Sequence, residues 1–203
     1  MNRFDDLART WDDDPTKVDR ARTVARAIVD RVDLQGAHVV EDGCGTGLLG
    51  FALMEVENIA TVTFIDPSEG MREVVRRKIE SLPPQRATVL APHEEVGNGH
   101  QLVTSLMVLH HVDDPAGAIR KWSEWLEPGG TLAIADLESE DGSFHDADQE
   151  YRHDGFDPDD VAAWMRATEL EPGDASTVFT IAKTVDGEER EFPVWLLLGR
   201  RVR

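Results

Sequence analysis

The amino-acid sequence predicts an α/β fold: a doubly wound, mostly parallel seven-stranded sheet with an antiparallel C-terminal hairpin. Three observations predict it. The apolar run Val39-Val40 ends in Glu41-Asp42, then passes through Gly43, Gly45 and Gly47 into Leu48-Leu49-Gly50. This reads as a strand, a tight turn and the start of a helix, because glycine reaches positive φ and lets a ligand approach bare backbone. Beyond it, short apolar runs of strand length alternate with stretches of helical period, the pattern of parallel strands joined by crossover helices. Near the C-terminus, Asp186-Gly187 separates two strand-like runs, a hairpin signal.

The elements follow in order. Phe4, Leu7, Ala8 and Trp11 recur at helical spacing and predict a short amphipathic helix over 3–11. Asp12-Asp13-Asp14-Pro15 breaks it and can cap the next helix. That helix carries the stripe Val18, Ala21, Ala25, Ile28, Val29 and Val32, ending before Gly36. Strand one spans 37–42, the helix after the glycine turn 48–56, and strand two 60–66. Met71, Val74, Val75, Lys78, Ile79 and Leu82 mark a helix stopped by Pro83-Pro84. Strand three spans 87–91, a loop 92–100, and strand four 101–106. A helix over 114–126 turns Ile119, Trp122, Trp125 and Leu126 inward. Pro128-Gly129-Gly130 reads as a turn before strand five at 131–137. Residues 138–156 are polar and irregular. Asp157 can cap a helix carrying Val161, Trp164, Met165 and Thr168, and strands at 176–184 and 192–200 finish the chain.

The chain has 203 residues, enough for one α/β domain with a sizeable core. Forty acids against 21 Lys and Arg give a formal charge of −19. Such a surface repels phosphate backbones and anionic lipid, so no nucleic-acid or membrane partner is expected. The acidity fits either a salt-adapted host or a GC-rich genome. The single cysteine, Cys44, excludes an internal disulfide and a multi-cysteine metal site. No leader and no run near the ~20 apolar residues of a membrane span appear. A cytoplasmic protein is the expectation.

Four stretches together resemble a known family. Glu41-x-Gly43-x-Gly45-x-Gly47 looks like the glycine motif of class I S-adenosylmethionine-dependent methyltransferases. Phe64-Ile65-Asp66-Pro67-Ser68-x-x-Met71 is similar to their second motif. Leu109-His110-His111-Val112-Asp113-Asp114-Pro115 and Leu126-Glu127-Pro128-Gly129-Gly130-Thr131-Leu132 match the segments after strand four and before strand five. The likeness runs from about residue 36 to 137. The opening Phe4-Asp5-x-x-Ala8-x-x-Trp11-Asp12 resembles the leading helix of the small-molecule branch. Two positions depart from the family: Glu41 stands where Asp is commoner, and Gln101 where an Asp often begins strand four.

The resemblance implies a Rossmann-like methyltransferase fold in one domain. Residues 1–35 would be N-terminal helices and a candidate lid, 36–137 the cofactor-binding core, and 138–203 the acceptor-side loop, helix and hairpin. The implied cofactor is S-adenosylmethionine, with S-adenosylhomocysteine as product. In the resemblance, Gly43, Cys44, Gly45 and Gly47 bring backbone to the methionine end and Glu41 sits near the ammonium. Asp66 accepts the ribose hydroxyls, and Pro67 and Met71 flank the adenine. His93 and Glu94 stand in the adenine loop, and Ser105 and Leu106 lie under the sulfonium. Met71 also fits its helix's apolar stripe. Trp11 is either core or the closing residue of a lid.

Methyl transfer is an in-line displacement, and a base is required only if the acceptor must first lose a proton. His110, His111, His145, His153, Tyr151 and Asp136 are candidates for it, with His110, His145 and His153 taken as the catalytic set. A loop as long as 138–156 is unusual unless functional or disordered. No metal site is expected. The partner is a small-molecule acceptor; the oligomeric state is left open. Two rivals stand beside this reading. Gly45-x-Gly47-x-x-Gly50 also fits a dinucleotide fingerprint, but Glu41 and Asp42 would repel a pyrophosphate there. A non-catalytic protein that binds S-adenosylmethionine or its product is the second. A nucleic-acid or protein methyltransferase is disfavoured by the charge and by the lack of a recognition domain.

Overall fold

The computed structural model describes residues 3–145 and 151–203. In chain order the elements are α1 (Arg3–Leu7), α2 (Pro15–Val29), β1 (His38–Asp42), α3 (Leu48–Val56), β2 (Thr61–Ile65), α4 (Glu69–Ile79) and β3 (Ala87–Leu90). There follow β4 (His100–Leu106), α5 (Pro115–Trp125), β5 (Leu126–Leu137), α6 (Pro158–Arg166), β6 (Leu170–Pro172), β7 (Ser176–Val185) and β8 (Glu188–Arg201). The sheet order is β3-β2-β1-β4-β5-β8-β6, with β7 also on β8. The first five strands are parallel and β8 is antiparallel to β5.

The sheet has eight strands where seven are expected, and the register explains the difference. Along one edge β8 pairs residues 194–200 with β5. Its other edge takes β7 at 188–196 and β6 at 199–201. Thus β6 and β7 share one lane, interrupted at 173–175. Three residues are too few to show a period, so β6 leaves no pattern in the sequence. The expected turn at Pro128-Gly129-Gly130 lies inside β5 instead: between His100 and Leu102 the β4–β5 register slips, and residues 127–130 bulge outward with Gly129 at φ 88°.

Alternation along the strands feeds two cores. Val39, Ala133, Ala135 and Leu196 point to the face covered by α2, α3 and α4. Val40, Leu132, Ile134 and Leu197 point to the face covered by α5 and α6. Acids and a serine cap the helices. Asp14 accepts from the Thr16 amide, Ser68 from Met71, Asp114 from Gly117 and Asp157 from Asp159. The N-terminal helix is shorter than its period suggests. It stops at Leu7, whose carbonyl accepts from the Thr10 amide at 3.2 Å, and a 3-10 turn carries Trp11–Asp13. The β7–β8 hairpin closes across Asp186 and Gly187, both at positive φ, as a type I′ turn requires.

Candidate active site

The strand order reverses between β1 and β4, and there the carboxyl ends of both strands open into a cleft of about 480 Å³. Its floor is the glycine turn. The Cys44 amide donates to Ile65 O at 2.9 Å and the Gly47 amide to Cys44 O at 2.8 Å, which fastens the turn to β2. A side chain at Gly43 would strike Val108, while at Gly45 it would meet nothing nearer than Trp11 Nε1 at 3.9 Å. Gly45 is thus bare backbone open to the cleft.

Two buried carboxylates face this floor, and both are held by amides rather than cations. Glu41 Oε2 accepts from the Gly50 amide at 2.9 Å. Asp66 accepts from Gly45 at 2.7 Å and from Ser68 at 2.8 Å. Burial lifts the Glu41 carboxyl to about 8 and the Asp66 carboxyl to about 6. Two buried acids with raised pKa values, beside open backbone, form a cradle for a cation that also carries hydroxyls. They fit the sulfonium, ammonium and ribose of S-adenosylmethionine. Burial and the same acids push the Cys44 thiol far up, so it is an inert wall. Asp42 points elsewhere: its Oδ2 accepts from Trp122 Nε1 at 2.6 Å.

The N-terminal segment lies across this floor and is tied down by two acids. Asp5 Oδ1 accepts from Ser68 Oγ at 2.6 Å and from the Gly70 amide at 3.0 Å. Asp12 accepts from Thr46 Oγ1 at 2.5 Å and pairs with Lys78 at 2.7 Å. Phe4 and Trp11 form part of the cleft wall.

The opposite wall carries a buried dyad. His110 Nδ1 lies 2.5 Å from Asp136 Oδ1. Asp136 also accepts amide hydrogens from Val108, Leu109 and Leu137. Burial opposes its charge, but His110 and these amides outweigh burial and hold the carboxyl below its usual range. An ionised Asp136 therefore accepts a hydrogen bond from the Nδ1–H and leaves Nε2 as the unprotonated nitrogen of a neutral His110. The backbone here is unusual: Met107, at the end of β4, sits at φ 57°. The loop after β5 folds back onto the dyad, with Arg152 and His153 amides donating to His110 O at 2.9 and 3.1 Å. Within it His145 stacks on Tyr151 and packs 5.1 Å from the His110 ring.

Several sequence-predicted residues come together on the cleft: Trp11, Glu41, Gly43, Cys44, Gly45, Asp66, Pro67, Met71, Leu106, His110 and His145. Others lie off it. Gly47 caps α3 at φ 82° behind the turn. Ser105 is buried and donates to Asp42 O. The strand turns it away from the cleft that its neighbour Leu106 borders. His93 is exposed, and Glu94 folds back to accept from the Ala91 amide at 2.6 Å. His153 Nε2 lies 2.9 Å from Val112 O and its ring rests on Phe156, so it braces the loop and does not line the cleft. Sequence reasoning missed Phe4, Lys17, Arg20, Met107 and Lys183 as cleft residues. For two of them a signal existed: Lys17 and Arg20 share a face with Ala21 and Val24, so cations extend a buried stripe.

The sequence matches the family described as methyltransferase domain over residues 40–132. A ubiquinone biosynthesis O-methyltransferase of Xanthomonas campestris pv. campestris is 32% identical over 197 residues, 87% of this chain and 82% of the relative. The chain belongs to the class I S-adenosylmethionine-dependent methyltransferases. A second relative of this methyltransferase, with the same name, from Pseudomonas fluorescens, is 31% identical over 143 residues, covering 66% of this chain and 61% of its own. Among solved structures, one chain of the complex between the Haloferax volcanii Trm112 methyltransferase activator and its methyltransferase superposes with a TM-score of 0.79 at 18% identity, over 100% of this chain and 99% of that one. The magnesium protoporphyrin IX methyltransferase of Synechocystis PCC 6803, solved with bound S-adenosylhomocysteine, gives 0.65 at 16% identity, over 92% and 84%. These likenesses share the fold. The dinucleotide rival fails on the family match and on the two buried acids at the turn. Among the described residues no cluster of three metal-ligating side chains occurs, and no helix is long and apolar enough to cross a membrane.

Proposed function

We propose that this methyltransferase methylates an oxygen of a small-molecule acceptor, with His110 as general base and Asp136 as the residue that positions it. The single observation that carries this reading is the buried His110–Asp136 pair on the wall of the cleft, opposite the carboxylate floor. The printed name of the curated relatives, an O-methyltransferase, supports oxygen as the nucleophile. When bound, S-adenosylmethionine supplies a methyl group on a positively charged sulfur. Glu41 offsets the donor's positive charge, and Asp66 exchanges its hold on the Gly45 and Ser68 amides for the ribose hydroxyls. Phe4 and Trp11, tied down through Asp5 and Asp12, exclude water from the reacting centre. Asp136 fixes the His110 tautomer, so Nε2 accepts the acceptor's proton as its oxygen attacks. His145, tilted beside His110 and lining the same cleft, is in reach of an acceptor held there. The charge of −19 and a cleft of about 480 Å³ favour a small acceptor over nucleic acid or a membrane, and the charge fits a cytoplasmic enzyme.

The test is turnover of labelled S-adenosylmethionine against a panel of phenols and enols. We expect His110→Gln to lower kcat by roughly 10²- to 10⁴-fold, the usual contribution of a positioned base. Affinity for S-adenosylhomocysteine should stay within about twofold by calorimetry. A His110→Gln enzyme with unaltered kcat on every active acceptor would remove the base from the mechanism. Donor binding without turnover of any acceptor would leave a donor-binding protein instead.

A further inference from the structure

One wall of the cleft is held in place from outside it. Phe144 and His145 border the cleft, and both belong to the stretch that follows β5. In that stretch Glu140 Oε2 accepts from the Ser143 amide at 2.7 Å and from the Phe144 amide at 3.0 Å, which closes 140–144 into one turn. The turn lies on the β7–β8 hairpin. Lys183 of β7 donates to Phe144 O and sits 5.0 Å over the Phe144 ring. Arg190 of β8 forks: Nη1 donates to Ser143 Oγ at 2.6 Å and to Asp141 Oδ1 at 3.2 Å, and Nη2 to Asp141 Oδ2 at 2.9 Å. Below them Phe192 of β8 meets the Phe144 ring edge-on at 5.2 Å. The register makes these two cations informative, because Lys183 and Arg190 stand directly opposite each other on the hairpin. Like charges in that position repel and weaken a strand pair. Arg190 also has Glu188 two residues back on its own face, yet its ion pair is with Asp141. The repulsion is offset because the turn supplies acceptors to both cations: Asp141, Ser143 and the Phe144 carbonyl.

We propose that Lys183 and Arg190 are positioning residues for acceptor selection: they clamp the turn 140–144 and so fix where Phe144 and His145 stand on the cleft wall. A guanidinium that meets a carboxylate through two N–H groups sets direction as well as distance. A wall misplaced by about 1 Å can cost about 10²-fold in a reaction that depends on alignment. Two features make the clamp a means of selection rather than of folding. The side chains of Arg190 and Asp141 are 40% and 61% exposed, where an ion pair contributes little to stability. The carboxylate floor has bonds of its own, from Glu41 and Asp66 to the Gly50, Gly45 and Ser68 amides, and none of them involves the hairpin. Arg190 does not line the cleft, so it acts only through the turn. This inference rests on the methyl-transfer reading, which makes the wall an acceptor wall.

The test has two readouts on the full chain. The first is hydrogen–deuterium exchange, with S-adenosylhomocysteine present, over 139–145, where the Ser139, Glu140, Ser143 and Phe144 amides all donate hydrogen bonds. The glycine turn, 43–50, serves as the reference. Arg190→Gln should speed exchange over 139–145 fivefold or more and leave the reference within twofold. Asp141→Asn should do the same, and the double variant should add less than twofold to either single, as partners in one contact do. The second readout is turnover of the phenol and enol panel. Arg190→Gln should raise the KM of the best acceptor tenfold or more and narrow the spread of kcat/KM across the panel. Its affinity for S-adenosylhomocysteine should stay within twofold. Unchanged exchange over 139–145 overturns the clamp, whatever the acceptor. Faster exchange with the same acceptor KM and the same spread overturns selection and leaves a mere brace. A tenfold loss of S-adenosylhomocysteine affinity in Arg190→Gln also overturns the proposal, because the whole cleft would then have loosened. Failure of the methyl-transfer reading looks different: the wild-type chain would turn over no acceptor, and the clamp would stand or fall on exchange alone.

Discussion

At the scale of single residues, the acid on the cleft floor should change its charge with the contents of the cleft. Glu41, buried on an amide, sits at about 8 against an ordinary value of 4.5. At pH 7 it is mostly neutral in the ligand-free chain. A cationic donor favours its ionised form, so binding expels a proton and donor affinity rises with pH up to about 8, then levels off. The same shift acts on folding. Between 4.5 and 8 the folded chain holds a proton that the unfolded chain has lost, so this group's contribution to stability falls as pH rises through that window. The fall is at most about 1.4 kcal/mol per pH unit. We expect calorimetry in buffers of different ionisation enthalpy to detect proton release at pH 7 and almost none at pH 9. Glu41→Gln should bind the donor more weakly, release no proton at this site, and flatten the decline in melting temperature. Equal proton release in Glu41→Gln would assign the proton to another group.

At the scale of elements, the N-terminal segment is tied down beside the glycine turn and borders the cleft through Phe4 and Trp11. Its ties are the Asp5 contacts to the start of α4 and the Asp12 contacts to Thr46 and Lys78. Each is partly exposed and contributes about 0.5–1.5 kcal/mol. Removing residues 1–14 should weaken donor binding about tenfold, the equivalent of about 1.4 kcal/mol. Asp12→Ala should lose only a fewfold, and an unchanged affinity and turnover in the truncated chain would make the segment dispensable. The elements also divide cleanly by legibility. The strand-turn-helix at 38–56 was readable because glycines, an acid and an apolar run carry local rules. The helix over 48–56 and the caps at Asp14 and Asp157 followed for the same reason. β6 was not readable, since only the edge of β8 makes it a strand. That His93, Glu94 and His153 do not line the cleft was not readable, because chain position says nothing about where a side chain turns. Arg20 was hidden by its stripe: a cation on an apolar helical face does not show in the sequence that it borders a cleft.

At the scale of the whole molecule, a charge of −19 sets a mutual repulsion that the fold must withstand. Salt screens it, with a Debye length of about 10 Å at 0.1 M and about 3 Å at 1 M. The melting temperature of the ligand-free chain should therefore climb between low ionic strength and about 1 M potassium chloride. The steepest gain should come at the low end, where screening changes most. A melting temperature that falls over this range would mean that attractive pairs such as Arg190–Asp141 and Arg201–Glu169 outweigh the repulsion.

Of the five tryptophans, Trp11 is the one that borders the cleft, while Trp122, Trp125 and Trp195 are buried in the sheet's second core and Trp164 packs half-buried against it. Its indole lies under Lys17 and beside the bare backbone of Gly45. A purine stacking nearby would quench its ultraviolet emission and leave the buried indoles as a constant background. The chain thus carries an intrinsic fluorophore on the wall of the cleft proposed to take the donor, and loading should be visible in a cuvette without any label.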